Sequence, residues 1–414
     1  MKKLFSLLLT AILIFSLTAA FAGCNDNPDN PSPDDSKAET LPLLKASGND
    51  LVDEDGNVVV IKGVNLGGWL VQESWMCPTD AKDQKTAYSV LTERFGEAKM
   101  KELFKIYEDN FIVAEDFVNI KNLGFNCVRI PFTFWNLQDE QEDYTVFDRL
   151  DFAVEECRKN GLYVILDLHG AKGSQNGRDH SGDTSQVELF DDKTNWDDMV
   201  YLWSMVADHF KDSNTVLGYD LLNEPEGKLL ISMPNPQFAF YNDCYKAIRE
   251  MDDRHIIIME AVWEAYCLPD PADYEWENVM YEYHNYGWGD ANHDLNDFSY
   301  QKDFVDKKIR DYKNLKYSVP KFIGEFTLFD NYDAWKYAID SYLENGIGYT
   351  IWTYKVVAET SAWGLYNGTP EKVNIESDSY EEIAAKWGAV KTSQSYHTSP
   401  TYDFFKSYNG VTEG

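Results

Sequence analysis

The chain has 414 residues and a formal net charge of −33. That excess of acid argues against a nucleic-acid ligand, because phosphate binding needs a cationic surface, and most of the acids are expected on a solvated surface. The length admits a single large domain such as an α/β barrel of about 250 residues with insertions. Aromatics make up 15%, including 12 Trp and 26 Tyr, a surplus beyond core needs that suits a cleft stacking sugar rings on indole and phenol faces.

At the N-terminus, Lys2 and Lys3 precede an apolar stretch from Leu4 to about Leu17 that is followed by small residues. It is short for a membrane span of about 20 residues, so residues 1–23 are expected to be a signal peptide. Phe21-Ala22-Gly23-Cys24 resembles the bacterial lipoprotein cleavage box, with Phe21 where leucine is usual. The resemblance implies lipidation of Cys24 and a tether to the outer face of a membrane, with plain secretion as the alternative. Residues 24–40, rich in Asp, Asn, Pro and Ser, read as a flexible linker. The other cysteines, Cys77, Cys127, Cys157, Cys244 and Cys267, are odd in number and widely spaced. Buried free thiols are expected, not a disulfide framework or a zinc site.

From residue 41 to 414 short apolar runs alternate with helical periods, the pattern of repeated βα units in one catalytic-type domain. The opening piece, Leu51 to Ile61, reads as a hairpin turning at Asp55-Gly56 and capping the barrel bottom. Eight strands are predicted, at Lys62–Leu66, Asn126–Pro131, Tyr163–Asp167, Val216–Leu222, His255–Glu260, Val279–Tyr283, Lys321–Glu325 and Gly348–Thr353. Helices are clearest over Phe147–Lys159 and Asn195–Phe210, where apolar residues recur every three and four positions. Runs such as Val164-Ile165-Leu166 suit strands covered on both faces. The expected fold is α/β, a (β/α)8 TIM barrel with a short N-terminal β-hairpin; an open doubly wound sheet is the alternative. Gly67-Gly68 runs into Trp69 and not into a glycine-rich helix start, which removes the nucleotide-binding version of that alternative.

Polar residues collect at the predicted strand ends: Arg129, Asp167 and His169, Asn223 and Glu224, His284 and Tyr286, Glu325, and Trp352. In a barrel these converge on one mouth. Two carboxyls so placed suit retaining hydrolysis of a glycosidic bond, which needs one protonated and one ionised group roughly 5 to 5.5 Å apart. Asn223-Glu224-Pro225 and Gly324-Glu325-Phe326, with the Arg, His-Gly, His-x-Tyr and Trp between them, resemble glycoside hydrolase family 5. Lys62–Trp75, Glu115–Trp135, Asp167–Gly182 and Leu221–Pro225 look most like its exo-β-1,3-glucanase branch.

The resemblance implies a retaining hydrolase with Glu224 as acid/base and Glu325 as nucleophile. It implies that Arg129 keeps Glu325 ionised, that Asn223 binds the sugar 2-hydroxyl, and that His169, His284 and Tyr286 hold carboxylates and sugar in register. Trp352 would floor the reacting ring, and Glu73 and Asp179 would close the non-reducing end; a surface acid is the alternative for each of these two. The chain departs from the branch at Arg178, where an aromatic stacking on the leaving sugar is usual, at Lys172, where proline is usual, and over Lys355–Gly368. The expected partner is a β-glucan or β-gluco-oligosaccharide and the expected state a monomer, with no metal or organic cofactor. An endo-β-1,4-glucanase of the same family and a non-catalytic glycan-binding lipoprotein are the competing readings.

Overall fold

The computed structural model describes residues 41–226, 236–261 and 264–411. The predicted signal peptide, Cys24 and the whole of the linker lie outside the described residues. The chain opens with β1 (Lys45–Ser47) and β2 (Asp50–Val52), which pair antiparallel. Eight parallel strands then close a barrel: β3 (Lys62–Asn65), β4 (Cys127–Thr133), β5 (Tyr163–Gly170), β6 (Val216–Asp220), β7 (Ile256–Glu260), β8 (Val279–Tyr286), β9 (Lys321–Thr327) and β10 (Gly348–Ile351). Because β10 pairs with both β9 and β3, the open-sheet alternative is excluded. A three-stranded sheet of β11 (Lys355–Val357), β12 (Tyr366–Gly368) and β13 (Tyr396–Thr398) follows. Among the described residues no helix is long and apolar enough to cross a membrane.

All eight predicted strands are present, with small shifts at their ends. The predicted hairpin is only partly formed. The regular ladder joins β1 to β2 around Gly48, whereas Val52 meets Val58 in a single bridge. The reason is Asp53, whose side chain accepts from the backbone N–H groups of Asp55 and Asn57 and so takes donors a longer ladder would need. The five cysteines of the described part are free; four are buried and Cys267 is half-buried.

The helices show why the strands are held in place. One of them, Lys193–Phe210, starts on an Asp192 cap and buries Met199, Leu202, Trp203, Val206 and Phe210 on the face toward the barrel. The Trp203 indole donates to the carbonyl of Leu221 at 3.0 Å, fixing the segment that leads into Asn223 and Glu224.

Inside the barrel the side chains form layers. The lowest is apolar and joins Cys127, Ile165, Leu217, Ile256, Ile258, Met280 and Phe322 to Leu44 and Leu51, so the N-terminal piece does cap the bottom. Above it lies a charged layer, and above that the mouth. Ile165 is fully buried, so Ile165→Ala is expected to lower the unfolding free energy by about 2–5 kcal/mol. Denaturant titration checks this; a loss of under about 1 kcal/mol would show that the lower layer is not close-packed.

Candidate active site

Arg129 is the third residue of β4 and is wholly buried. It therefore lies below the mouth and not at a strand end, and it does not line the cavity. Its Nε donates to Asp220 Oδ2 at 2.8 Å and stands 3.2 Å from Glu282 Oε1. Its Nη1 donates to Asn65 Oδ1 and Glu325 Oε1, each at 3.1 Å, and is 3.1 Å from Asp167 Oδ2. Nη2 donates to Asn223 Oδ1 at 3.1 Å. One guanidinium thus orients both the nucleophile candidate and the asparagine beside the acid/base candidate. Burial works against its charge, but Asp167, Glu282, Asp220 and Glu325 more than offset this and hold its pKa well above the usual arginine range.

Glu325 is the fifth residue of β9, which runs on to Thr327, on the other side of the barrel. Its second oxygen accepts from Tyr286 Oη at 2.8 Å and stands 3.4 Å from His284 Nδ1. Gly324 before it has a steric reason: a Cβ there would overlap the Glu282 carboxylate.

Glu224 follows β6 with a positive φ of 42°, a costly conformation for a non-glycine residue that turns its side chain inward. Its N–H donates to Glu260 Oε2 at 2.5 Å, and its carbonyl accepts from Asn176 Nδ2 at 3.0 Å. Gln175 Nε2 bonds the carbonyls of His169 and Asn223, at 2.8 and 2.9 Å, tying the ends of β5 and β6 together. Oε1 of Glu224 pairs with His284 Nδ1 at 2.9 Å, and Oε2 lies 3.3 Å from His180 Nε2. His284 Nδ1 is thus 2.9 Å from one carboxylate and 3.4 Å from the other. The nearest oxygens of Glu224 and Glu325 cannot stand further apart than those two lengths together, which falls short of the roughly 6.5–9.5 Å of an inverting pair.

The proton is not where acid catalysis by Glu224 would suggest. Burial raises the carboxyl's pKa, but His180 and the His284 bond outweigh it and hold Glu224 well below the carboxylate range. Burial likewise lowers His284, but Glu260, Glu325, Glu224 and Glu282 hold it well above the imidazole range. In the free site the proton therefore sits on His284, one hydrogen bond from Glu224.

Above these residues opens a cavity of about 670 Å³. His169, Asn223, Glu224, His284, Tyr286, Glu325, Trp352, Glu73 and Asp179 all line it. Asp167 bonds His169 Nδ1 at 2.7 Å and so orients that ring, which stacks on Trp352 at 5.4 Å and 7°. Gly67 leaves room for the Trp352 indole, 2.9 Å from where a Cβ would stand. Glu73 is 4% exposed, so it is not a surface acid. Its Oε2 accepts from Trp75 Nε1 at 2.8 Å, while Oε1 has no hydrogen-bond partner among the described residues. Burial pushes its pKa up to about 8.

Two donor sets have the compactness to hold a cation, Glu73/Asp179/His180 and Glu224/Glu260/His284, each with ligand atoms within 4.8 Å of one another. In the second set the histidine is already engaged with both acids, 2.9 Å from Glu224 and 3.6 Å from Glu260.

Several residues were missed by sequence reading. Asp220, Glu260 and Glu282 make up the charged layer with Asp167. The signal was available in β8, where Met280, Glu282, His284 and Tyr286 alternate and so share the inner face. Trp75, Trp288 and Trp363 also line the cavity. Trp288 and Trp363 stand 5.9 Å apart and Trp75 and Trp363 5.4 Å apart. Trp363 comes from the segment after β10 that departs from the branch. Lys172, another of the departures, pairs with Asp198 at 2.6 Å.

The family described as "Cellulase (glycosyl hydrolase family 5)" matches residues 52–356. A "Beta-xylosidase" of Phanerodontia chrysosporium is 31% identical over 59% of this chain and 52% of its own length. A "Glucan 1,3-beta-glucosidase" of Candida oleophila is 34% identical over 53% of this chain and 54% of its own. The chain thus spans about half the length of the curated relatives it matches. Among solved structures, an endogalactoceramidase (TM-score 0.59, 20% identity, 84% of this chain and 85% of that one) shares the fold. So does the rutinosidase from Aspergillus niger (TM-score 0.57, 16% identity, 74% and 92%). By the match over its barrel, the chain belongs to glycosyl hydrolase family 5.

Proposed function

We propose that the protein is a retaining β-glucan hydrolase that removes glucosyl units from the non-reducing end of β-1,3-glucan or related oligosaccharides. The observation that carries the reading is the single imidazole, His284, bridging two carboxylates closer than an inverting pair. Glu325 attacks the anomeric carbon while the glycosidic C–O bond breaks and the leaving oxygen takes a proton from Glu224. The resulting glycosyl ester is then opened by a water that Glu224 deprotonates, so configuration is retained overall. A sugar over the site excludes water and penalises the Glu224–His284 ion pair, which favours moving the stored proton onto Glu224. Asn223, its Oδ1 occupied by Arg129, has its NH2 left to donate to the sugar 2-hydroxyl.

Exo action is supported by Glu73 and Asp179, which both line the cavity with carboxylate oxygens within 4.8 Å of each other. The glucan 1,3-beta-glucosidase relatives favour β-1,3 linkage. We also propose display outside the cell through Cys24, on the strength of the apolar leader and the small residues before that cysteine.

Glucose as the sole early product from laminarin is the expected result. A rapid viscosity drop in carboxymethylcellulose would instead support the endo-β-1,4 reading. A second expectation concerns Glu73. Its folded pKa of about 8 lies above the unfolded value near 4.5, so the folded protein holds a proton that the unfolded chain gives up. Its contribution is fully present below about pH 4.5 and is lost as pH rises to about 8. Glu73→Gln, which mimics the protonated form, is expected to lose stability less steeply than wild type between pH 5 and 8. Parallel slopes in pH-dependent denaturation would show that Glu73 is ionised in the fold.

A further inference from the structure

Arg178 and Glu226 face each other at the cavity rim. Arg178 Nε lies 3.1 Å from Glu226 Oε2, and Nη2 lies 2.9 Å from both of its oxygens. Both residues line the cavity. Their position follows from the chain around Glu224. Oε1 of Glu224 is taken by His284, so the oxygen that faces the breaking bond is Oε2, beside His180. His180 lies two residues after Arg178, in the short turn Asp179–Ser181. Glu226 lies two residues after Glu224, its N–H donating to the Glu224 carbonyl at 2.7 Å. The ion pair therefore flanks the side on which the leaving group departs.

We infer that the Arg178–Glu226 pair is the leaving-group subsite and selects a neutral, hydroxyl-bearing sugar there over an aryl or alkyl group. The fork fixes the guanidinium as a plane with Nη1 unpartnered among the described residues. That leaves a donor next to carboxylate acceptors, a pattern that vicinal hydroxyls of a pyranose satisfy. An apolar ring laid over the same pair strips its water and replaces none of its hydrogen bonds. Glu224 beside the pair makes this side of the rim negative, which disfavours a uronate leaving group. The inference rests on the hydrolase reading and names the leaving group for that same site.

The test is the ratio of kcat/KM for laminaribiose to kcat/KM for 4-nitrophenyl β-glucoside. It is measured for wild type, Arg178→Ala, Arg178→Lys and Glu226→Gln. Arg178 is about half exposed, so the variants are expected to fold. Loss of a charge-assisted hydrogen bond predicts a fall in the ratio of about tenfold or more for Arg178→Ala and Glu226→Gln, with Arg178→Lys between them and wild type. An unchanged ratio in both, whether through equal losses on the two substrates or none, would overturn the inference and leave the hydrolase reading standing. A wild-type protein that turns over neither substrate would overturn both.

Discussion

A buried arginine surrounded by carboxylates is the constraint on which the site depends. Arg129 cannot be buried bare, because an unpaired charge in a barrel interior costs several kcal/mol. It is matched by Asp167, Asp220, Glu282 and Glu325, and the matching is also what positions the chemistry. The same guanidinium N–H groups whose charge is matched in this way hold Glu325 and Asn223 toward one point from opposite sides of the barrel. Geometry that could wander on loops is instead set by strands whose register is locked by the closed sheet.

The charged layer has a second consequence. Acids outnumber cations there, so protons must be shared. Burial pushes Asp167 up to about 7 and holds Asp220 and Glu260 well above the carboxylate range. His284 sits among Glu224, Glu260, Glu282 and Glu325, and holds the proton nearest the mouth. Glu224 is thereby held toward its ionised form. The close pair of carboxylates thus shares its surroundings with an imidazole, His284, that stands between them.

Much of this was legible in the sequence, for physical reasons that vary from residue to residue. The eight strands were readable because strands covered on both faces are apolar runs, as in Ile256–Met259. Glu224, Glu325, His169 and Trp352 were readable because each follows or ends such a run. The depth of Arg129 was not, since a run broken by Arg looks like a strand end when the strand in fact continues to Thr133. Glu260 and Glu282 were passed over for a similar reason: an acid in a strand reads as its boundary unless its neighbours are sorted by face. The hairpin turning at Asp55-Gly56 forms only a single bridge because Asp53 competes for backbone donors, a side-chain effect that apolar patterning does not reveal. Trp288 and Trp363 reach the cavity from loops, where no period marks them.

The proposed hydrolysis depends on Glu325 as nucleophile and Glu224 as acid/base, and azide rescue separates the two roles directly. With an activated aryl β-glucoside, Glu325→Ala is expected to be inactive until azide fills the missing nucleophile's place, giving the α-glucosyl azide. Glu224→Ala is expected to form the glycosyl ester and yield the β-azide. Rescue of neither variant, or the same anomer from both, would contradict the assignment.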